Sequence, residues 1–446
     1  MNPQLSRRAL LKGSLGLAVA AASTLRGAPA LAQAAPAPAT ALSTLPALPG
    51  GDALTVARNE AYWAQIAALY RQSPDFVNLE HGFYGIMARP VLVELQRNIE
   101  RLNERNSYFL RQEFSRETDA VRGRIAALLG VQADEIALTR GATEALQNLI
   151  TNYRGLKPGD TVMYADLDYD SAQSVFDYLP ERRGVKVARI VLPEPASEAS
   201  ILDAYAKGLA ANPGTRLLLL THINHKTGLI LPVAEITRLA KARGVDVILD
   251  AAHSWGHIDF RLPELGGVDF AAFNLHKWVG APLGVGFLYI RKSRLDDIAP
   301  HLSAAGEGSG DIRSRVHSGT TATANVMTVP TALDFQAAIG VPNKEARLRY
   351  LRDYWVERVR DVKGVQILTP DAPRLHGAIS ALRIGGRSSL ADSQALARRL
   401  REQYGIFTVA RGGLASGAVV RVTPAIFTRP ADLDRLVTAV REIARG

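Results

Sequence analysis

The sequence predicts an α/β fold, in which helices cover a large and mostly parallel sheet and a smaller α+β unit follows. Between residues 135 and 290, short apolar runs alternate with amphipathic stretches, the pattern of repeated strand-helix units. The run at 245–249 is predominantly apolar, which is typical of a strand buried on both faces, and it ends in a carboxylate, Asp250. Polar residues at the end of a buried strand indicate a functional edge of the sheet.

The composition is that of an ordinary globular protein. With 446 residues, 47% hydrophobic and 22% charged, the chain is long enough for one large domain and a smaller one. It contains no cysteine, which excludes disulfides, thiolate metal sites and a thiol nucleophile. The formal net charge is +10 and falls to +6 without residues 1–32, so the surface is mildly basic and suits an anionic substrate. Because no Lys/Arg block is interleaved with aromatic residues, the composition argues against nucleic-acid binding.

The first 32 residues have the three parts of a secretory signal peptide. Basic residues that include Arg7 and Arg8 are followed by an apolar segment at 13–25 and by a small-residue cleavage site at 30–32. The apolar segment is too short to span a membrane. The run SRRALLK at 6–12 is typical of the Tat pathway, which exports folded proteins. We therefore expect a Tat signal peptide, the Tat export machinery as a partner, and a periplasmic or otherwise exported protein; a chance arginine pair in a cytosolic protein is the alternative.

Four regions follow the signal peptide. Residues 33–53 are rich in Pro and Ala and predict a flexible tether. We expect an N-terminal segment at 54–80 that packs with the small domain, a large domain at 81–325 and a small C-terminal domain at 326–446. The N-terminal segment should contain a helix at 54–70.

A turn near the start of the large domain contains three candidate site residues. It has the sequence FVNLEHGFYG at 76–85, and the candidates are Asn78, His81 and Tyr84. An ordinary strand-turn-helix entry explains the same residues.

A candidate anion site comes next. An amphipathic helix predicted at 113–129 ends at Gly130, and a short strand is predicted at 135–139. The residues after this strand, RGATEAL at 140–146, form a glycine turn and a helix N-terminus, where free N–H groups and the helix dipole converge. We therefore predict that Ala142 and Thr143 bind an anion.

The strand-helix alternation continues toward two loops with candidate residues. A strand is predicted at 161–165, a helix at 171–182, a strand at 185–192, a helix at 199–210 and a strand at 216–220. The loop DLDYD at 166–170 contains Tyr169, for which a surface tyrosine that caps a strand is one explanation. The loop THINHKTG at 221–228 contains His222 and Asn224. Histidines of this kind also suit zinc, but the lack of cysteine and of an H-E-x-x-H pattern argues against a metal site.

An acid and an amine follow two successive buried strands. Asp250 ends the run at 245–249, and Lys277 follows the run at 268–273. Because ligands bind beyond the carboxyl ends of strands in open α/β sheets, we expect both side chains in one crevice. A buried Asp–Lys ion pair is the alternative. A desolvated lysine loses its proton more easily and becomes a nucleophile or a base.

The runs DAAH at 250–253 and NLHKW at 274–278 resemble the pyridoxal phosphate (PLP) signature of class V aminotransferase-like enzymes, in particular the isopenicillin N epimerase-like branch. The resemblance implies PLP fold type I and the cofactor pyridoxal 5'-phosphate. It implies that Lys277 forms the Schiff base and that Asp250 pairs with the pyridine nitrogen. By the same resemblance, His253 lies against the ring or its phenolic oxygen, His276 and Thr143 help hold the phosphate, Tyr169 stacks on the ring, and Asn224 lies near the ring oxygen.

The resemblance extends to a partner subunit and to the substrate. The Gly/Ser-rich residues 306–325 are similar to the family's mobile loop, in which Thr320 would bind phosphate across a dimer interface, so a homodimer is implied. In the small domain we expect a helix up to residue 360, strands near 365–368, 378–384 and 418–422, and helices at 390–403 and from residue 430. Arg421 matches the family's arginine for the substrate carboxylate, a task that suits a forked guanidinium. The FTR run at 427–429 departs from the family's usual Tyr-Asn-Thr, so the resemblance does not identify the residues of the substrate pocket.

These observations predict an exported PLP enzyme that acts at the α-carbon of an amino acid or a peptide-like metabolite, as an aminotransferase or an epimerase. Transamination needs only Lys277 as the base, whereas epimerisation needs a second proton donor, which the sequence does not identify. A siderophore- or peptide-tailoring PLP enzyme, a PLP-dependent lyase and a non-catalytic PLP-fold binding protein are the alternatives. A cysteine desulfurase needs a cysteine to carry persulfide sulfur, and this chain has none.

Overall fold

The computed structural model describes residues 45–304 and 310–446. The predicted signal peptide and most of the predicted tether lie outside these residues. The helices are α1 (Ala53–Ala57), α2 (Glu60–Ala67), α3 (Arg89–Gln112), α4 (Phe114–Leu129), α5 (Ala142–Thr151), α6 (Asp170–Arg183), α7 (Glu198–Ala211), α8 (Val233–Lys241), α9 (Thr323–Ile339), α10 (Val341–Val359), α11 (Leu390–Tyr404) and α12 (Pro430–Arg445). The strands are β1 (Val77–Asn78), β2 (Ile136–Thr139), β3 (Thr161–Ala165), β4 (Lys186–Ile190), β5 (Thr215–Thr221), β6 (Asp246–Asp250), β7 (Phe270–Asn274), β8 (Gly286–Ile290), β9 (Val365–Ile367), β10 (Ser380–Ile384), β11 (Ile406–Phe407), β12 (Val409–Arg411) and β13 (Val419–Val422).

A seven-stranded sheet forms the centre of the large domain, with the strand order β2-β8-β7-β6-β5-β3-β4. Strands β3 to β7 are parallel to one another, and β8 is antiparallel to both of its neighbours. In β5, Leu218 and Leu220 pack in one hydrophobic core, while Leu217 and Leu219 pack in another on the opposite face. Burial on both faces explains why the central strands are almost continuously apolar.

The sheet brings the ends of β6 and β7 together, as the sequence predicts. These strands are adjacent and parallel, and Asp250 is the last residue of β6 while Asn274 is the last residue of β7. The turn after β7 contains Lys277 and returns the chain into β8. Acidic, amide and amine side chains therefore share one edge of the sheet.

The small domain is built on a four-stranded antiparallel sheet in the order β12-β13-β10-β9. Its own core contains Trp355 of α10, Leu400 of α11 and Leu436 of α12. The N-terminal segment joins this domain, because β1 pairs in parallel with β11 and α1 packs against α10. The described residues, 45–304 and 310–446, belong to one compact unit.

The structure departs from the predicted elements in several places, and the short strands β11 and β12 of the small domain are among the elements that were not predicted. The helix predicted at 54–70 is two helices, because Asn59 interrupts the first and caps α2 by accepting a hydrogen bond from the Tyr62 N–H at 3.0 Å. Helix α3 was not predicted, and it is kinked at Asn106, which has a φ of 45°. The loop predicted at 306–325 is cut short by α9, which begins at Thr323. In the part of the chain that the structure describes, no helix is both long enough and apolar enough to cross a membrane.

Candidate active site

A cavity of about 560 Å³ lies at the carboxyl ends of β6 and β7, between the large and small sheets. It brings together eight residues that the sequence analysis proposed for the site. These are Ala142, Thr143, Tyr169, Asp250, His253, His276, Lys277 and Arg421.

Lys277 contacts a histidine at the base of the cavity. Its Nζ lies 3.0 Å from Nε2 of His253, and the indole N–H of Trp278 donates to Nδ1 of the same histidine at 3.3 Å. An indole N–H only donates, so Nδ1 is an acceptor and the proton of the neutral imidazole is on Nε2, facing the amine. Burial lowers the pKa of His253 well below its usual value, and it lowers the pKa of Lys277 to about 8. An uncharged lysine is therefore accessible near neutral pH.

Asp250 is buried in the same cavity and retains one strong hydrogen bond. Its Oδ1 accepts the N–H of Ala252 at 2.9 Å. Burial raises the pKa of this carboxyl, and the positive charge of Lys277 partly offsets the increase. Among the described residues, no ion pair joins Asp250 to Lys277, whose amine contacts His253 instead. The acid is thus held at the strand end with an oxygen available to a ligand in the cavity.

The N-terminus of α5 forms another side of the cavity. Oδ1 of Asn274 accepts the N–H of Ala142 at 2.7 Å, so the end of β7 fixes the start of the helix. A Cβ on Gly141 would lie 2.9 Å from that oxygen, which explains the glycine. Nδ1 of His276 contacts the carbonyl of Val285 at 3.1 Å, and burial lowers its pKa to about 4. Because Asn274 already accepts the Ala142 N–H, the donors at this end that suit an anion are the next N–H groups of the first turn of α5 and the Thr143 hydroxyl.

Tyr169 and His225 meet edge to face at the same cavity. Their ring centroids are 5.4 Å apart with an interplanar angle of 87°. The Tyr169 hydroxyl lies 3.5 Å from the Thr143 hydroxyl. His225 was missed by the sequence analysis; its Nδ1 is buried without a hydrogen-bond partner among the described residues, and burial lowers its pKa to about 4.

Asn224 was chosen in place of His225, and the loop geometry explains the difference. The side-chain Oδ1 of Asn224 accepts the N–H groups of Lys226 and Thr227 at 2.8 and 2.9 Å, and its side-chain Nδ2 donates to the carbonyl of Leu167. The asparagine therefore shapes the loop, while the next residue lines the cavity. The adjacent Asn224 and His225 in the loop THINHKTG were the available signal, but the sequence does not show which of the two side chains points inward.

Five other candidates are absent from the cavity lining. Two of them are buried histidines: His81 packs against Phe427, and His222 packs against Phe260. Oδ1 of Asn78 accepts the N–H of Glu80 at 2.9 Å, and Tyr84 is exposed and packs against Phe83. Thr320 is exposed, and its expected role requires a second subunit. From the turn at 76–85, Gly82 and Phe83 line the cavity instead.

Arg421 faces the cavity from the small sheet and is already engaged by an acid. Its Nε and Nη2 donate to Glu80, and its Nη1 donates to the carbonyl of His225 at 2.6 Å. Burial lowers the pKa of this guanidinium to about 10, although Glu80 opposes the shift. A second arginine, Arg411, lines the cavity beside it, and its Nη2 lies 3.5 Å from Oε1 of Glu80. The sequence analysis identified neither Glu80 nor Arg411.

The sequence matches the family model described as aminotransferase class-V over residues 90–436. This chain belongs to the class V aminotransferase family. It is 31% identical to an isopenicillin N epimerase from Streptomyces clavuligerus over 85% of this chain and 98% of the epimerase. It is 27% identical to the isopenicillin N epimerase of Amycolatopsis lactamdurans over 86% and 99% of the two chains. A cysteine desulfurase structure from Thermococcus onnurineus NA1 superposes with a TM-score of 0.72 at 20% identity and covers 83% of this chain and 95% of its own.

Membership of the class V aminotransferases confirms the predicted fold type I and the predicted cofactor, pyridoxal 5'-phosphate. The residues of the cavity fit this cofactor. They supply a buried amine at Lys277, a buried acid at Asp250 and hydrogen-bond donors at the start of α5. The unpartnered Nδ1 of His225 adds one more polar atom that a bound group could satisfy.

Proposed function

We propose that this protein is an exported PLP-dependent enzyme that acts at the α-carbon of an amino acid or a peptide-like metabolite, as an aminotransferase or an epimerase. The contact between Lys277 and His253 carries the proposal. Desolvation lowers the lysine pKa to about 8, and the neutral histidine beside it adds no positive charge. Such an amine binds an aldehyde and exchanges a proton with carbon near neutral pH.

Each region of the cavity has a place in this chemistry. When bound, the cofactor withdraws electrons from the substrate's α-carbon. Asp250 would hold its ring nitrogen, the first turn of α5 with Thr143 and His276 would hold its phosphate, and Tyr169 would lie against its ring. Lys277 would bind the cofactor covalently and then carry the α-proton.

The composition of the chain, its relatives and the residues of its cavity favour an enzyme that works at the α-carbon over a desulfurase. The chain has no cysteine to carry persulfide sulfur. Its isopenicillin N epimerase relatives match along nearly their whole length. Tyr169 and His225 line the cavity in addition to Lys277, so epimerisation has candidate second proton donors that the sequence analysis lacked.

The purified protein tests the chemistry directly. We expect visible absorption from bound cofactor. Borohydride should bleach this absorption, because it reduces the link to Lys277 and leaves the cofactor permanently attached there. We also expect exchange of the α-proton of an L-amino acid for deuterium in D2O. Lys277→Ala should lose both, whereas Lys207→Ala, a change at an exposed lysine paired with Asp203, should lose neither. Chiral chromatography and oxo-acid analysis of the products then separate epimerisation from transamination. Absorption that survives in Lys277→Ala and resists borohydride in the wild type would contradict the proposal.

Export and dimerisation complete the proposal. The Arg7-Arg8 pair and the apolar segment that follows it support export through the Tat pathway to the periplasm. Changing both arginines to lysine should leave the full-length protein in the cytoplasmic fraction, and unchanged export would contradict this route.

Five apolar side chains exposed along α3 support a homodimer, because a second chain packed on this helix would remove them from water. They are Leu92, Val93, Ile99, Tyr108 and Leu110. Sedimentation should give the mass of two chains, and Ile99→Glu should weaken the dimer. A monomer at micromolar concentration would exclude it.

A further inference from the structure

A histidine behind the cavity, His257, forms hydrogen bonds with both domains. It is fully buried and stands outside the lining of the cavity. The N–H of Ala378, which lies two residues before β10 of the small sheet, donates to its Nε2 at 2.8 Å. On the other side of the ring, Nδ1 lies 3.0 Å from the carbonyl of His253, in the turn after β6. One imidazole therefore joins the histidine beside Lys277 to the small domain.

The two hydrogen bonds admit a single protonation state of His257. A backbone N–H only donates, so Nε2 is the acceptor and carries no proton. A carbonyl oxygen only accepts, so Nδ1 carries the proton and donates it to His253. Burial lowers the pKa of His257 to about 3, and positive charge on Lys344, Arg349 or His222 acts in the same direction. The ring therefore stays neutral at neutral pH, with one tautomer.

His257 also holds the residue that orients the His253 ring. The imidazole stacks on the indole of Trp278, with centroids 3.8 Å apart and an interplanar angle of 25°. That indole donates to Nδ1 of His253, whose Nε2 faces the amine of Lys277 at 3.0 Å. The backbone of Trp278 is held separately, because its carbonyl accepts a hydrogen bond from the buried amine of Lys344. His257 thus acts on both the backbone and the ring of the residue that contacts the amine.

Two glycines allow the close approach of His257 to its surroundings. A Cβ at Gly377, the residue before Ala378, would lie 2.5 Å from Nε2 of the histidine. Gly256, the residue before His257, has a φ of 77°, and a Cβ there would lie 3.1 Å from the backbone nitrogen of Val279. A side chain at either position would push the imidazole away from one of its partners.

We propose that His257 is a positioning residue for the pair formed by Lys277 and His253, and that it anchors this pair to the small domain. The inference rests on the proposed function, in which Lys277 carries the α-proton. An imidazole offers one donor and one acceptor on a rigid ring, so it bridges a carbonyl of one domain and an N–H of the other. Loss of either bond frees His253 to turn away, and water then reaches the amine.

Nitrogen NMR of the apoprotein tests the protonation state that the inference requires. In protein labelled with 15N-histidine, His257 should show a protonated Nδ1 and a bare Nε2, and neither signal should titrate between about pH 5 and pH 9. The signals are assigned by their absence in His257→Phe. A proton on Nε2, in either a neutral or a charged ring, would overturn the inference.

Labelling of the lysine amine in the apoprotein tests the positioning. The rate at which acetic anhydride modifies Lys277, measured by peptide mass spectrometry, reports the fraction of neutral amine at each pH. The wild-type midpoint should lie near pH 8. His257→Phe keeps an aromatic ring against Trp278 but loses both hydrogen bonds, so the midpoint should rise by about one pH unit as water returns to the amine.

A second buried histidine supplies the matched control. Nδ1 of His376 contacts the carbonyl of Ala372 at 3.1 Å, again four residues earlier in the chain, and Nε2 lies 3.3 Å from Asp353. Neither partner lines the cavity. His376→Phe should therefore leave the Lys277 midpoint unchanged. Equal midpoints in His257→Phe and His376→Phe would overturn the inference.

Two further variants separate the bonds of His257. His257→Asn keeps a donor for the His253 carbonyl and loses the acceptor for Ala378, whereas His257→Gln does the reverse. Hydrogen exchange in the peptide that contains Ala378 should quicken about tenfold in His257→Asn, the effect of one hydrogen bond, and less in His257→Gln. Each variant should raise the Lys277 midpoint by less than His257→Phe does. A wild-type midpoint in His257→Asn would overturn the anchoring to the small domain.

The holoenzyme separates failure of this inference from failure of the proposed function. Because His257 does not line the cavity, His257→Phe should slow α-proton exchange of L-alanine about tenfold and change its dissociation constant by less than about twofold. A loss that lies wholly in the dissociation constant would overturn the inference. If the wild type exchanges no α-proton, the proposed function fails, and the apoprotein measurements still decide the role of His257. A thermal melt of each variant confirms that it is folded.

Discussion

The two sides of the cavity are assembled from different parts of the chain. The cofactor wall, which we define as Asp250, His253, His276 and Lys277, comes from the ends of two adjacent strands and the turns that follow them. The arginine wall, defined as Glu80, Arg411 and Arg421, joins an N-terminal turn to two strands of the small sheet. Neighbouring strand ends keep the first wall within a short stretch of sequence, whereas Glu80 and Arg421 are 341 residues apart.

The two walls also manage buried charge differently. In the cofactor wall, burial favours the neutral forms, since it lowers the pKa of His253, His276 and Lys277 and raises that of Asp250. In the arginine wall, burial also lowers the pKa of Arg421, to about 10, but the carboxylate of Glu80 opposes this shift through a direct ion pair. This difference agrees with the roles that we propose, reaction at the first wall and recognition of charge at the second.

After the loss of Lys277 itself, removing the acid of the cofactor wall should have the largest effect on activity. Asp250→Asn keeps the shape and the acceptor for the Ala252 N–H, but it cannot compensate a charged ring nitrogen. We expect turnover to fall on the order of 10²- to 10³-fold, the usual cost of losing one preorganised electrostatic group. Steady-state kinetics with the cofactor in excess would measure it. A loss smaller than tenfold would remove Asp250 from the cofactor site.

The same variant should stabilise the apoprotein. Burial raises the folded pKa of Asp250, so the ionised carboxylate costs stability as pH rises above the ordinary value of 3.8. The melting temperature of Asp250→Asn should therefore exceed that of the wild type at pH 8, and the difference should shrink toward pH 4. A lower melting temperature at pH 8 would show that the acid is paired.

The sequence could predict the cofactor wall because its reactive residues follow the apolar runs that mark two buried strands. Asp250 and Lys277 follow apolar runs that read directly as buried strands, and the sheet places both at one edge. The arginine wall has no such signal. Glu80 and Arg411 stand beside ordinary strand residues, and only the pairing of distant strands brings them together.

Two further differences arise from local conformation. The choice of Asn224 over His225 depended on which side chain of a loop turns inward, and backbone hydrogen bonds that the sequence does not display decide it. Helix α3 was overlooked although Pro90 lies in its first turn. Several of its apolar residues are exposed, so the sequence does not separate an apolar buried face from a polar solvent face. Periodicity is a weak signal where a helix has a second apolar surface.

Breaking the arginine wall should lower stability, the opposite of the result at Asp250. Glu80→Ala leaves Arg421 buried with its guanidinium charge uncompensated. Loss of one partner from a buried pair costs about 3–5 kcal/mol of folding free energy. Urea unfolding of the apoprotein would measure it, with Glu104→Ala on the surface of α3 as the control. A change below about 1 kcal/mol, the range of surface pairs, would show that the pair is solvated.

The pH dependence of cofactor uptake should reveal how the two walls are coupled. With a pKa of about 8, the fraction of neutral Lys277 rises roughly tenfold between pH 7 and pH 9, and uptake by the apoprotein should rise with it. His225 and His276 have pKa values of about 4 and stay neutral throughout this range. Arg411 lowers the lysine pKa, so Arg411→Met should move the midpoint upward. A midpoint near 10.5 in the wild type would mean that Lys277 is solvated.

The smallest effect should come from the residue that orients His253. Trp278→Phe keeps an aromatic ring for the stacking on His257, whose centroid lies 3.8 Å away, but removes the N–H that Nδ1 of His253 accepts. Because the imidazole tautomer then loses its bias, turnover should fall about 3- to 10-fold, the value of one hydrogen bond, while the cofactor stays bound. Kinetics and the absorption spectrum measure the two quantities. Trp355→Phe is the control, since that indole N–H has no hydrogen-bond partner among the described residues. Equal losses in both variants would mean that packing, and not the tautomer, explains the role of Trp278.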